Sequence, residues 1–62
     1  MSAPDLRYTW QTIMGVQYRG VVTEVDSNVI HMLCDDGVKR ATEGTREECA
    51  YFRAALKAQA EK

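Results

Sequence analysis

Apolar and polar positions alternate from the sixth residue onward. Leu6, Tyr8 and Trp10 are separated by Arg7 and Thr9 and followed by Gln11, a period of two with aromatic and β-branched content that predicts a half-buried strand. Ile13-Met14-Gly15 breaks the alternation and turns the chain. The run from Val16 to Val25 has Gly20 near its middle, where a missing side chain predicts a bulge or bend. Val16, Tyr18 and Val22 share one parity and Val21, Thr23 and Val25 the other, so the inward face is expected to change near Gly20. Asp26-Ser27-Asn28 can bond back to its own backbone and closes a hairpin onto Val29–Cys34. That strand is apolar on both faces, with Ile30, Met32 and Cys34 on one side and Val29, His31 and Leu33 on the other. It must therefore be covered twice, the second time by a helix or by a neighbouring subunit.

Asp35-Asp36-Gly37 predicts a type I turn followed by a bulge, or a type I′ turn, returning the chain as a strand over Val38–Thr42. Thr45-Arg46-Glu47-Glu48 has the spacing of a capping box, so a helix is predicted over 45–62 with Cys49, Phe52, Ala55 and Leu56 as its apolar stripe. The expected architecture is mainly β with one helix. It is a small, strongly bent antiparallel sheet or barrel of about four strands, SH3-like or Sm-like, followed by a C-terminal α-helix. Residues 1–5 read as a flexible arm and 6–62 as a single domain.

Composition narrows the function. At 62 residues the chain buries a small core, which makes homo-oligomerisation a natural expectation. Eight Lys and Arg stand against nine Asp and Glu, for a net charge of −1, so any nucleic-acid site must be a local patch. With neither a bilayer-length apolar run nor a signal-like segment, a cytoplasmic protein that does not enter membranes is expected. Cys34 and Cys49 read as reduced thiols packed like small apolar groups. His31 and Cys34, three apart on a strand, point to opposite faces, which argues against a shared metal site and against a histidine-activated thiol. No metal, cofactor or enzymatic activity is expected.

Two binding surfaces stand out. Lys39 and Arg40, with Arg19 nearby, form a candidate phosphate site, and Tyr18 or His31 could contact a base. Ile30 and Met32, or the helix stripe of Phe52 and Leu56, form a candidate protein-docking face. Tyr8 and Trp10 are read as core aromatics, and Arg53 with Lys57 as a solvated helix flank.

The pattern Gly15-x4-Gly20-x5-Asp26-x2-Val29-Ile30-x2-Leu33 resembles the first motif of Sm-like proteins, and its spacing is closest to that of the Hfq-like bacterial RNA chaperones. Tyr8–Ile13 lies where that family has its first strand, and Val38-Lys39-Arg40-Ala41 resembles its later basic loop. The same residues with Asp35-Asp36-Gly37 also resemble the SH3-like C-terminal domain of biotin protein ligases. The first resemblance implies binding of single-stranded, uridine-rich RNA by an oligomer. It departs from the family at Asn28, where the chaperones have a stacking aromatic, and in placing its helix at the C-terminus. The reading favoured by the sequence is thus a non-catalytic Sm-like RNA-binding module. The alternative is an SH3-like protein-interaction module or small regulator that docks on a protein partner.

Overall fold

Two hairpins of the chain close with the same turn chemistry. Gly15 donates to the Thr12 carbonyl at 2.9 Å and Thr12 to that of Val16 at 2.8 Å; Gly37 donates to Cys34 at 2.9 Å and Cys34 to Val38 at 3.0 Å. Both glycines sit in the left-handed region, at φ +84° and +85°, so each is a type I turn followed by a one-residue bulge. Between them lies a two-residue loop in which Ser27 takes φ +53°. In a computed structural model of the chain, which describes residues 5–61, these three turns join β1 (Arg7–Gln11), β2 (Gln17–Asp26), β3 (Val29–Cys34) and β4 (Lys39–Glu43). The result is a four-stranded antiparallel sheet in the order β1-β2-β3-β4, followed by α1 (Arg46–Ala60).

The sheet is bent and stays open, because β1 and β4 are its two edges and do not pair; of the two architectures expected from the sequence it is the bent sheet, not a closed barrel. The change of inward face also lies further along β2 than Gly20. Val22 pairs with Met32 and Glu24 with His31, so Thr23 is an extra residue that β3 does not match. Its hydroxyl donates to the His31 carbonyl. This bulge resets the side-chain alternation, which puts Val22 and Val25 on one face although they are an odd number of residues apart.

Gly20 shares the inner face with Val22 and has a different task. A Cβ at that position would fall against the Leu33 carbonyl and 2.6 Å from the Cys34 Cα. Only glycine lets the β2 and β3 backbones coil together this closely.

The helix starts as its sequence predicts. Thr45 N–H donates to the Glu48 carboxylate at 2.9 Å and Glu48 N–H to the Thr45 hydroxyl at 3.1 Å, a reciprocal cap worth about 1 kcal/mol. The last helical residue is Ala60, with Glu61 as its cap; residue 62 lies outside the described residues. So does the expected N-terminal arm apart from Asp5, whose carboxylate accepts from Arg7 N–H at 2.9 Å and whose carbonyl accepts from the Tyr51 hydroxyl at 3.1 Å.

Cys49, Phe52 and Ala55 of α1 pack on Leu6, Val22 and Ile30, with Tyr8, Val25 and Leu56 at the margin. The Phe52 ring meets Tyr8 edge-to-face at 5.5 Å and 86°. Truncating Phe52 would cost about 3–5 kcal/mol, which matches the whole stability expected of so short a chain. The helix and sheet therefore form one cooperative unit. Both cysteines are free and buried. Arg53 is not merely a solvated flank, because its guanidinium donates to the Ser27 carbonyl and ties the helix to the β2–β3 turn.

Gly20→Ala is expected to lose about 3 kcal/mol or more in urea denaturation, because backbone cannot move aside for the new Cβ. Gly15→Ala, with open space around it, should lose only about 1–2 kcal/mol for its left-handed backbone. Equal losses would show that β2 and β3 do not approach closely at Gly20.

Candidate interaction surfaces

Strand alternation sends neighbouring residues to opposite faces, and this separates the side chains singled out in the sequence. On the inner face, the part of the sheet beyond the helix carries Trp10, Tyr18 and Arg40. Trp10 pairs with Tyr18 across β1 and β2, and their rings stack at 5.2 Å with a 35° tilt. The Arg40 guanidinium lies 4.2 Å from the centre of the Tyr18 ring and donates both arms of its fork to Asp36, each at 3.1 Å.

This set is closed on itself. The Arg40 side chain is 24% exposed, with a carboxylate along its fork and an aromatic ring against its plane. Hydrogen bonds from Arg40, and then from the Val38 backbone, hold the Asp36 carboxyl below its ordinary pKa. The same pairing, led by Asp36, raises the pKa of Arg40 further. A shallow hollow of about 260 Å³ beside the stack is lined by Tyr18, Asp36 and Arg40 together with Gln17, Arg19, Cys34 and Asp35.

The outer face carries the other three candidate nucleic-acid residues. Lys39 sits across from Leu33, Leu33 from Val21, and Val21 from Arg7, in one row over the sheet. Arg19 lies in the next row beside Thr9, and half-buried His31 lies between Glu24 and Ala41. The five candidates therefore form no single patch: Tyr18 and Arg40 meet on the inner face, while Lys39, Arg19 and His31 are spread over the outer one.

Of the candidate docking residues, Ile30, Met32 and Phe52 are buried within the chain itself, and Leu56 packs at the margin of the core. The inner apolar side of β3 is thus covered without a neighbouring subunit: Ile30 lies under α1, and Met32 lies between Val22 and Arg40 in the sheet register.

A surface that the sequence reading passed over is the tip of the first hairpin. Ile13 is fully exposed and Met14 is 86% exposed, at the two turn positions that usually hold polar residues. The turn beneath them is braced by its backbone bonds and by Val16 N–H donating to the Thr12 hydroxyl at 3.2 Å. The sequence signal is two large apolar residues between Thr12 and a turn glycine, which on their own predict only a break in alternation and a turn of the chain.

Among the described residues no group of His, Cys, Asp or Glu is placed to hold a metal ion, and no helix is long and apolar enough to cross a membrane. No match to the chain was found among protein-family models, curated proteins or solved structures.

The Asp36–Arg40 pair sets a pH dependence. A depressed carboxylate pKa contributes stability that is present above the unfolded-state value, near 3.8, and is lost as pH falls through the folded-state value below it. Wild-type protein should therefore be more stable than Asp36→Asn at pH 7, and the two denaturation curves should converge as pH falls progressively below 3.8. A gap that persists at the acid end would mean that Asp36 acts through something other than its charge.

Proposed function

We propose that the chain is a non-catalytic protein-interaction module that docks through the β1–β2 tip. The observation that carries this reading is the full exposure of Ile13 beside the exposed Met14 on a braced turn. Neither side chain belongs to the core cluster. Each would gain about 1.5–3 kcal/mol if buried in a partner's groove. The turn is already closed by hydrogen bonds, so little ordering entropy opposes that gain.

From Gln11 to Gln17 the tip has no charged residue, which suits an apolar groove on a protein better than a phosphate backbone or an anionic headgroup. The RNA reading has a different support, the presence of Arg7, Arg19 and Lys39 on one face around Val21 and Leu33. It is the weaker one: Arg40 is occupied by Asp36, Tyr18 is covered by Arg40, and Arg7 is paired with Asp5 at 3.4 Å.

A photo-crosslinking amino acid placed at position 13 in native cells should give a discrete protein adduct that Met14→Ser removes, with none from the exposed Gln59 position on the helix. Ile13→Ser with Met14→Ser should change folding stability by no more than about 0.5 kcal/mol. A larger loss would make the tip a structural element and overturn the proposal. Salt-sensitive binding of a short uridine-rich RNA, weakened by Arg19→Ala with Lys39→Ala, would instead favour the RNA reading.

A further inference from the structure

The two edges of the sheet are not equally protected. Along β1, Val22 donates to Leu6 and Thr12 to Val16, so the backbone groups of Arg7, Thr9 and Gln11 point away from the sheet. The first of these outward amides is already taken, since Arg7 N–H donates to the Asp5 carboxylate, and Tyr51 ties the Asp5 carbonyl to the helix. Along β4, Cys34 donates to Val38 and Gly44 to Asn28, and alternation then turns the N–H and C=O groups of Lys39, Ala41 and Glu43 outward. Among the described residues no side chain accepts from those three amides.

We propose that β4 pairs antiparallel with β4 of a second copy of this chain, about a two-fold axis through Ala41. This pairing makes one continuous eight-stranded sheet. Its register follows from the charges. With Ala41 opposite its own copy, Lys39 faces Glu43 of the partner and Glu43 faces Lys39, while Arg40 faces Thr42. Sliding the strands to the neighbouring allowed register on one side would set the two Arg40 side chains against each other, and in either direction it separates Lys39 from Glu43. The Lys39-x-Ala41-x-Glu43 spacing is thus self-complementary only in the centred register. The small Ala41 leaves room for the two sheets to meet at the axis. A two-fold contact closes after one partner, so the assembly ends as a dimer and does not propagate into a fibre. The contact uses neither Ile13 nor Met14, so it stands independently of docking at the hairpin tip.

Sedimentation equilibrium tests it. Wild-type protein should reach twice the 7.0-kDa chain mass as concentration rises, and the amides of Lys39, Ala41 and Glu43 should become protected from hydrogen exchange in step. Ala41→Pro should abolish the dimer while keeping the fold, because that amide makes no bond within the chain. Lys39→Glu alone and Glu43→Lys alone should each weaken dimerisation about tenfold. The combined variant Lys39→Glu/Glu43→Lys should restore it. If Ala41→Pro fails to fold, the charge-swap series decides. A protein that stays monomeric at millimolar concentration, or a dimer indifferent to the single swaps or not restored by the double one, overturns the proposal.

Discussion

The strand β2 has to do two things that a regular strand cannot. It must present Val22 and Val25 to one core, and it must coil tightly enough for α1 to reach Leu6 on one side and Ile30 on the other. The unmatched residue Thr23 solves the first problem by resetting the alternation. Gly20 solves the second by giving up the side chain that would strike the β3 backbone. Everything else in the fold follows from this strand, including the bend of the sheet, the seat of the helix and the position of the free edges.

The inner face of the sheet is fully employed, in two different ways. Toward β1 and the centre it is dry, with Phe52 and Cys49 over Val22 and Ile30. Toward the other end it is closed by a polar device, in which Asp36 neutralises Arg40 and Arg40 lies over Tyr18. A bidentate ion pair at the surface contributes little by itself. Here it also orients a guanidinium that shields an aromatic ring, so charge and apolar area are satisfied together. The hairpin tip, the outer side of the sheet and the β4 edge lie outside this face.

Much of the fold was legible in the sequence because its signals were local. The capping box at Thr45, the turn glycine at Gly37 and the alternation of Leu6, Tyr8 and Trp10 each depend on residues a few positions apart, and each is found as expected. The bulge at Thr23 lies beyond Gly20, where the sequence predicts a bulge or a bend, because parity shows only that the face changes somewhere between Tyr18 and Val25; the cross-strand register decides where. The candidate sites were less legible. Lys39 and Arg40 are adjacent in sequence but lie on opposite faces of β4, and the partner that occupies Arg40, Asp36, is supplied by a turn whose sequence signal is its backbone geometry, not its charge. Only one of the two apolar faces of β3 is covered: Ile30 and Met32 are buried, while Val29 and Leu33 on the other face stay exposed, because which face α1 lands on is not encoded in periodicity.

The central claim is that Thr23 is an extra residue in β2, so that Val22 and Val25 face the same core. Relaxation of the valine methyls by a soluble paramagnetic chelate tests it directly by NMR. The bulge predicts weak relaxation at both Val22 and Val25 and strong relaxation at Val21. Strong relaxation at Val25 with Val22 still protected would mean an unbroken alternation along β2, and would contradict the account.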